Sequence, residues 1–514
     1  MSFFNNINIK RLITSSSSVP FPRKQQAKEI EAPFIHKWDS STQLMDLTGH
    51  GDWLTLGDCF TGIAVFGAAG SGKTSSLATV AQCLMLLDCG FVWLCAKPDE
   101  VRLARKIAAS AGREKDVIVI GEDVNGVITR HRFNPLQYEA SRPGQGTTSV
   151  TTYLSDCAKV LSRKEGERSG GEGERFWNDQ FERLLRHCID TAKYAGRSLS
   201  VALLREIQLS APTQPEDISS EAWVANSTCW QCICEAEAQM EQGNLPKVDF
   251  SRILNFWTKD YATLDVKPRS SIDVMFAVLA DAFTAEEPVR YILSGESSVT
   301  PDDVIEHGKI VILSLPTNIY HNAGRMAQFT FKFSYQRRVL ARKFSDASSL
   351  RPTVLWVDEA HAFAHPFDSQ YFREVRSNRG INVYLEQGIG GYMQAMNFHS
   401  PDQVDDYLQN LSTKYFFYNS SPETNLFASN AIGKMLTEKG TDSFSYSNAN
   451  NVSTSNSTTQ EERHQIVSGE FGFLKRGGTK NNCIVTGYVL RPEIFNSTGT
   501  NVSLCSFRQT TLTH

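Results

Sequence analysis

The sequence predicts an α/β fold with a mostly parallel sheet and a mostly helical inserted domain. From about residue 46, apolar runs of strand length alternate with runs of helical periodicity, which is typical of a parallel sheet. From about 148 to 290 the strand signals largely vanish and helical periodicity dominates, as in the run Arg175 to Ala195. The alternating pattern resumes at Gly308 and continues through two further apolar strand candidates. The helical stretch is therefore interpreted as an insertion.

This pattern divides the chain into four segments. They are a flexible N-terminal arm (1–45), the first part of the α/β domain (46–147), the helical inserted domain (148–290) and the second part of the α/β domain (291–514). A Ser-, Asn- and Thr-rich stretch near 443–460 is predicted to be disordered. The charged, glycine-rich run from Arg163 to Arg175 is predicted to be a mobile loop. A terminal hairpin is expected from Gly469–Arg476 and Cys483–Leu490.

Composition limits the class of protein. A 41% hydrophobic fraction over 514 residues allows a sizeable core, and a net charge of −4 gives no global basic surface, so any contact with nucleic acid must be local. Eleven scattered cysteines, an odd number, favour a reducing cytosol over a disulfide framework. No uncharged apolar run reaches about 18 residues, so no transmembrane helix is predicted. The first residues lack the continuous apolar core of a signal peptide.

The most specific motif is Gly67-Ala68-Ala69-Gly70-Ser71-Gly72-Lys73-Thr74, which matches the phosphate-binding pattern G-x-x-x-x-G-K-[ST] in full. It follows an apolar strand candidate and precedes a helix candidate, as a phosphate-binding loop requires. Lys73 is expected to reach the β- and γ-phosphates of ATP, and Thr74 to ligate Mg²⁺. The residues expected to bind the nucleotide are Gly67, Gly70, Ser71, Gly72, Lys73, Thr74 and Ser75. The alternative, a glycine-rich turn that binds nothing, fits the flanking pattern less well.

An apolar strand candidate that ends in Asp358-Glu359 supplies the second half of such a site. Asp358 is expected to hold Mg²⁺, and Glu359 to orient or deprotonate the attacking water. The alternative is an edge carboxylate in a surface salt bridge. The letters from Asp358 to His361 spell DEAH, but the long gap from Lys73 and the lack of a later Gln-Arg-x-Gly-Arg motif exclude a superfamily-2 helicase. His361 is interpreted as a supporting or packing residue.

The segment that follows offers phosphate sensors. Gln387, at the end of an apolar strand candidate, is placed to sense the γ-phosphate. Arg376 or Arg379 could act on a neighbouring subunit's nucleotide as an arginine finger, because a guanidinium stabilises the charge that develops in phosphoryl transfer. The alternative for each arginine is a solvated charge at a helix end.

Two groups of residues in the helical region carry weaker signals. Cys229, Cys232 and Cys234 have the spacing of metal ligands, but no second Cys/His pair lies nearby, so a reduced, partly buried helical cluster is favoured. Base stacking is possible for the tryptophans of the region, yet in a helical domain they are more often core residues. These are Trp177, Trp223 and Trp230.

Taken together, these motifs resemble the type IV secretion coupling ATPases of conjugation, the TraD/TraG-like group within the FtsK–HerA superfamily. The similar segments, in chain order, are GAAGSGKTSS, FVWLCAKPDE, RFNPL, GKIVILSLP, VLWVDEAHAF, RSNRGINVYLEQG and EFGFLKRGG, which span about 60–490. Ala96-Lys97-Pro98-Asp99 departs from the group's Asp-Pro-Lys-Gly order, and Glu386-Gln387-Gly388 replaces its Thr-Gln-Ser. Membrane-bound members usually begin with transmembrane helices, and none is predicted here.

The resemblance implies a RecA-like, Mg²⁺-dependent ATPase that forms a homo-hexameric ring and moves DNA through a central pore. Lys73, Thr74, Asp358, Glu359 and Gln387 would keep the roles given above, and the helical domain would engage relaxosome-like or secretion-channel proteins. A cytoplasmic location is expected, with recruitment to the inner face of the membrane through partners. Two alternatives stay open. One is a HerA-like motor in genome packaging, DNA processing or phage defence, and the other is an ATP-dependent docking platform that moves no strand.

Overall fold

The computed structural model describes residues 37–144, 146–162, 172–343, 349–446, 452–492 and 494–509. The strands are β1 (Gln43–Asp46), β2 (Trp53–Thr55), β3 (Ile63–Phe66), β4 (Gly90–Leu94), β5 (Val117–Gly121), β6 (Ile310–Ser314), β7 (Thr353–Val357), β8 (Gly380–Glu386), β9 (Thr413–Phe417), β10 (Lys434–Tyr446), β11 (Val452–His464), β12 (Ile484–Leu490) and β13 (Val502–Arg508).

The helices are α1 (Leu56–Phe60), α2 (Lys73–Leu86), α3 (Glu100–Ser110), α4 (Pro135–Ser141), α5 (Thr147–Ser162), α6 (Glu172–Tyr194), α7 (Val201–Leu209), α8 (Glu221–Asn226), α9 (Thr228–Glu241), α10 (Lys247–Asn255), α11 (Val266–Thr284), α12 (Glu287–Leu293), α13 (Pro301–Ile305), α14 (Thr317–Leu340), α15 (Pro366–Glu374), α16 (Ile389–Met396), α17 (Pro401–Leu408) and α18 (Pro422–Ile432). Helix α14 is interrupted at His321, where φ is 46°.

Of the described residues, one compact unit combines those up to Leu87 with Ile381–Gln394 and those from Phe398 onward. Its main strands lie in the order β13-β12-β9-β3-β8. Strands β9, β3 and β8 are parallel to one another. Strand β12 runs antiparallel to β9, and β13 runs antiparallel to β12. The Phe66 ring of β3 stacks on Phe416 at a centroid distance of 5.7 Å. This buried aromatic contact fixes the end of β3, from which the phosphate-loop motif continues.

The second compact unit comprises Asp88–Gly380 and Ala395–Asn397. Its strands lie in the order β7-β4-β6-β5 and are all parallel. Trp93 of β4 and Trp356 of β7 are register partners, and their rings stack at 4.7 Å. Strands buried on both faces read as continuous apolar runs, which explains why the sequence pattern revealed them. The predicted α/β fold with a mostly parallel sheet is confirmed.

The connection between β5 and β6 in the second unit is helical across its described residues, apart from turns and a bridge between Glu122 and Ile128. Helix α4 begins where the Asn134 side chain accepts a hydrogen bond from the backbone N–H of Leu136, a common way to satisfy the first turn of a helix. The mostly helical insertion predicted from periodicity is confirmed. Of the predicted mobile loop, residues 163–171 lie outside the described residues, whereas helix α6 already begins at Glu172.

A stacked aromatic pair marks the core of this helical region. The imidazole of His187 lies 3.7 Å from the Phe256 ring in a parallel stack, and burial lowers the pKa of His187 to about 3. The indole N–H of Trp257 donates a hydrogen bond to the Thr191 hydroxyl, 2.8 Å away. Aromatic residues here therefore pack against helices as core.

Two predictions for the C-terminal part are wrong. Residues 443–446 and 452–460, predicted to be disordered, belong to the antiparallel pair β10–β11; residues 447–451 lie outside the described residues. The expected terminal hairpin is also wrong in its main pairing, because Ser468–Phe473 is a 3₁₀ helix and β12 pairs with β13 and β9. Among the described residues, the two segments pair as strands only in one antiparallel bridge, between Arg476 and Val485. Polar composition concealed the pairing of β10 with β11, since cross-strand hydrogen bonds depend on pairing and not on apolar periodicity. None of the described helices is long and apolar enough to cross a membrane.

Candidate nucleotide-binding and hydrolysis site

The phosphate-loop motif forms the turn between β3 and α2 in the first unit. The loop is tied at its start, because the N–H of Gly67 donates to the Glu386 carbonyl at 3.2 Å and the N–H of Ala68 donates to the Tyr418 carbonyl at 2.9 Å. Lys73, the first residue of α2, is buried, and its Nζ donates to the Gly67 carbonyl at 2.6 Å. The lysine therefore lies across its own loop, and its binding to the β- and γ-phosphates stays a prediction.

Gly72 shows why the motif needs glycine. Its φ of 88° lies in the left-handed region, and a Cβ atom built there would come within 2.4 Å of the Val485 Cγ2 atom of β12. A side chain at this position would thus be strained and would collide with the neighbouring strand. Gly70 also has a positive φ, 67°. These conformations make a tight turn at the start of helix α2, and a helix N-terminus suits a bound anion.

The serines of the loop have contrasting environments. The Ser71 hydroxyl is buried and has no hydrogen-bond partner among the described residues. The Ser75 hydroxyl donates to the Gly72 carbonyl at 3.0 Å and accepts a hydrogen bond from Gln509 Nε2 at 3.1 Å. Gln509, which follows β13, also accepts from the N–H of Gly478. The C-terminal end of the chain thus contacts the first turn of helix α2, which the sequence analysis did not anticipate.

Arg476 is a second residue that sequence reasoning missed. Its Nη2 atom donates to the carbonyl of Ala69 in the phosphate loop at 2.9 Å, and its guanidinium lies 4.6 Å from the Tyr418 ring centroid. A Cβ atom on Gly70 would be 3.4 Å from the same Nη2 atom. A guanidinium held by stacking is well suited to bind phosphate oxygens. The run Lys475-Arg476-Gly477-Gly478 was a possible signal, because glycines beside a cation favour close approach to another backbone.

Gln387 follows β8 in the first unit. Strand β8 pairs in parallel with β3 and aligns Glu386 with Phe66, so Gln387 and Gly67 begin at the same edge of the sheet. The Gln387 side chain is exposed, while the backbone carbonyl of Gln387 accepts a hydrogen bond from Asn419 Nδ2 at 2.7 Å. Its position next to the phosphate loop is consistent with the predicted sensor role, which remains a prediction.

Asp358 and Glu359 follow β7 in the second unit, and both are buried. Glu359 has φ 48° and ψ 57°, a left-handed conformation that is uncommon for a residue with a side chain. Its N–H donates to Asp358 Oδ1 at 2.9 Å. The tight turn therefore fixes the backbone of both acids directly beyond the strand, where the sequence pattern placed them.

The loop after β4 brings two more charged residues to these acids. Lys97 donates a hydrogen bond from Nζ to Oε1 of Glu359. Burial alone would lower the pKa of Lys97, but the hydrogen bond and the negative charge of Glu359 raise it. Burial and the charge of Asp358 raise the pKa of the Glu100 carboxyl well above its usual range. Neither residue was singled out as functional from the sequence.

The residues of this unit fit a hard divalent cation. Carboxylate oxygens are the ligands that Mg²⁺ prefers. Within the described part of the chain, the Oε1 atom of Glu100 is buried without a hydrogen-bond partner, and the Glu100 carboxyl interacts electrostatically with Asp358. Bringing a cation to Asp358 would relieve the repulsion between the two acids. Thr74, the other predicted ligand, lies on the first turn of α2 in the first unit.

The two candidate arginine fingers differ in exposure. Arg376 is exposed on the 3₁₀ turn Val375–Asn378, whereas Arg379 is buried, has φ 58° and accepts a hydrogen bond at its carbonyl from the N–H of Thr353. A side chain that reaches another subunit has to be exposed to solvent in the isolated chain. The exposure of Arg376 makes it the better candidate of the two.

The cysteine trio lies on helix α9, and its three thiols do not share a face. Cys229 and Cys232 are buried, whereas Cys234 is exposed, and all three are free thiols. Burial raises the pKa of Cys232 to about 11, which leaves it protonated and a poor metal ligand at neutral pH. The interpretation as a reduced helical cluster agrees with this arrangement. Two of the tryptophans, Trp223 and Trp230, pack against each other at 5.9 Å.

Comparison with known proteins identifies the fold. A structure of the bacterial conjugative coupling protein TrwB in an unbound form matches with a TM-score of 0.60 and 12% identity, over 92% of this chain and 90% of that one. The chain has the TrwB fold. A second TrwB structure, in complex with the ATP analogue ADPNP, matches with a TM-score of 0.60 and 12% identity over 96% of both chains. A third, with ADP and Mg²⁺, matches at 0.54 and 12%, over 90% of this chain and 87% of TrwB.

Sequence comparison gives a more limited match. The type 4 coupling protein DotL of Legionella pneumophila is 28% identical over 132 residues, which are 24% of this chain and 16% of DotL. The chain thus matches about one sixth of the length of that relative. No family model matches the sequence. The resemblance to type IV coupling ATPases predicted from the motifs is confirmed by these matches, with TrwB likeness at the level of the fold.

Proposed function

We propose that the protein is a Mg²⁺-dependent ATPase. The observation that carries this proposal is the phosphate loop, in which left-handed Gly70 and Gly72 and the buried Lys73 surround the start of helix α2. Such a loop stabilises negative charge through backbone N–H groups and one cation. TrwB, whose fold the chain shares, has been crystallised with ADPNP and with ADP and Mg²⁺.

In this proposal each residue has a defined role in hydrolysis. Lys73 binds the β- and γ-phosphates, Thr74 and Asp358 hold Mg²⁺, and Gln387 senses the γ-phosphate. A Glu359 oxygen accepts a proton from water as the water oxygen bonds to the γ-phosphorus and the bond to the leaving ADP oxygen breaks. When bound, Mg²⁺ would supply positive charge that offsets the charge developing on the phosphate oxygens.

We further propose that hydrolysis moves DNA, as in a conjugative coupling protein. The support is the TrwB fold over more than nine tenths of the chain and the DotL match. A homo-hexameric ring would let the exposed Arg376 reach the nucleotide of a neighbouring subunit. The helical region would bind relaxosome-like or secretion-channel proteins at the cytoplasmic side of the membrane.

The test is steady-state ATPase activity of the purified chain with and without single- and double-stranded DNA, at several salt concentrations. Glu359→Gln is the matched control, because it keeps the size of the side chain and removes its basicity. We expect DNA to raise turnover, and the stimulation to fall with salt because counterions compete for phosphate contacts. The mutant should bind ATP and hydrolyse it at least ~100-fold more slowly.

Other outcomes would redirect the proposal. ATP hydrolysis that is indifferent to DNA would contradict the motor and favour the docking platform, for which the net charge of −4 is the supporting observation. DNA-stimulated hydrolysis that requires a partner nuclease would favour the HerA-like alternative. Normal hydrolysis by Glu359→Gln would show that another group activates water.

A further inference from the structure

The loop that carries Lys97 is firmly anchored in the second unit. The N–H of Cys95 donates to Gln328 Oε1 at 3.0 Å, and Gln328 Nε2 donates back to the Cys95 carbonyl at 2.9 Å. The next N–H, of Ala96, donates to Glu100 Oε2 at 2.8 Å, and the Ala96 carbonyl accepts from the N–H of Thr317. The backbone leading to Lys97 is therefore fixed on both sides of the chain, by α14 and by the first turn of α3.

The backbone of Glu359 is equally constrained. Its left-handed φ and ψ angles leave little freedom, and its N–H is bonded to Asp358. The Glu359 side chain is 8% exposed, whereas that of Lys97 is 56% exposed. Of the two partners, Lys97 is the one that can swing into water without a desolvation cost.

The contacts of the Glu359 carboxylate matter for its proposed role. Oε1 accepts the hydrogen bond from Lys97, and Oε2 faces His361 Nδ1 at 4.0 Å. A general base needs an oxygen within hydrogen-bond reach of the water that it deprotonates. The Lys97 ammonium is bonded to Oε1, so it occupies the oxygen that would otherwise accept a hydrogen bond from the water.

We propose that Lys97 is a positioning residue that restrains Glu359, and that its ion pair must open for each hydrolysis event. Lys97 acts only through Glu359 and does not itself contact the nucleotide. The inference rests on the proposed ATPase function and adds a control point to it. A signal that draws the Lys97 side chain into solvent would release the base, because the anchored backbone keeps everything else in place.

The experiment compares kcat and KM for ATP in the full chain and in Lys97→Met, in the absence of DNA. A partly exposed ion pair contributes modestly, so kcat should rise about 3- to 10-fold in the variant, with KM changed less than about 2-fold. Lys97→Arg keeps a cation at the same point, so its increase in kcat should be at most half of the increase seen in Lys97→Met. Lys115→Met, which removes an exposed lysine from the 3₁₀ helix Glu114–Asp116 of the same unit, is the matched control and should match the parent chain.

A double variant separates restraint from other effects. Lys97→Met combined with Glu359→Gln should be as slow as Glu359→Gln alone, because there is no longer a base to release. A kcat in Lys97→Met that is equal to or lower than that of the parent, in a chain with unchanged thermal unfolding, would overturn the restraint while leaving the ATPase proposal intact. No hydrolysis in the parent or any variant would overturn both.

Discussion

The guanidinium of Arg476 donates a hydrogen bond from Nη2 to the carbonyl oxygen of Ala69, 2.9 Å away, although the two residues are 407 positions apart in the sequence. The contact joins the turn before β12 to the middle of the phosphate loop. Its geometry is reinforced from the other side, where Tyr418 lies against the guanidinium. The conformation of the phosphate loop therefore depends on a segment far outside the motif.

We expect Arg476→Ala to weaken ATP binding about 10-fold or more. The variant loses a charge-assisted hydrogen bond to the loop and a cation near the phosphates, an interaction of about 1.5–3 kcal/mol. Isothermal titration calorimetry with a non-hydrolysable ATP analogue measures the change in affinity. Lys480→Ala, which removes an exposed cation from the nearby 3₁₀ helix Thr479–Asn481, should bind as the parent does. Equal loss in both variants would mean that general charge, and not the contact with Ala69, matters.

Gly72→Ala should abolish nucleotide binding and lower the free energy of unfolding by about 1–3 kcal/mol, because φ is positive and the new Cβ atom would collide with Val485. Gly112→Ala is the control. Gly112 also has a positive φ, 72°, but an added Cβ atom would meet nothing within 4 Å. It should cost only the conformational strain, about 1 kcal/mol, and leave binding unchanged. Denaturant unfolding and titration with nucleotide measure the two effects.

Substitutions of Lys73 and Glu359 should separate binding from chemistry. Lys73→Ala removes the cation of the phosphate loop and should reduce ATP affinity by a factor of about 10 to 100. Glu359→Gln should retain affinity and lose turnover. Equilibrium binding of a fluorescent ATP analogue, alongside phosphate release, distinguishes them. Tight binding by Lys73→Ala would contradict the role given to this residue.

The buried ion pair between Lys332 and Asp368 should contribute strongly to the free energy of unfolding. The two side chains are completely buried at 2.7 Å, and Gln336 Nε2 also donates to Asp368. Asp368→Asn leaves a buried ammonium without its counter-charge and should cost about 3–5 kcal/mol. Asp156→Asn, at an exposed pair with Lys159, should cost less than about 1 kcal/mol. Chemical denaturation at neutral pH gives both values.

The same pair predicts a pH dependence. Burial alone would raise the pKa of Asp368, but the charge of Lys332 and the hydrogen bonds lower it below the usual value. A lowered folded-state pKa stabilises the protein above the unfolded pKa of about 3.9, and this stabilisation is lost as the pH falls toward the folded value. The stability difference between the parent and Asp368→Asn should therefore be constant near neutral pH and shrink below about pH 4. A difference that grows on acidification would contradict the assignment.

The sequence by itself determined the parallel strands, the helical insertion and the phosphate-loop motif. Strands such as β4 and β7 are buried on both faces, and burial requires the continuous apolar runs that the pattern revealed. Gly72 could be recognised because its left-handed conformation restricts the residue type. Burial and backbone conformation restrict the residue type at individual positions, so both can be recognised from the sequence.

Only the tertiary structure revealed the contact of Arg476 with Ala69, the pairing of β12 with β13 and the ion pair of Lys97 with Glu359. Each joins segments that are distant in the chain or that have no distinctive periodicity. A hydrogen bond or an ion pair depends on the distance between two side chains in the folded chain. The residues next to either partner in the sequence do not determine this distance. For this protein, sequence therefore identified the chemical groups of the site, and folding decided which of them act on one another.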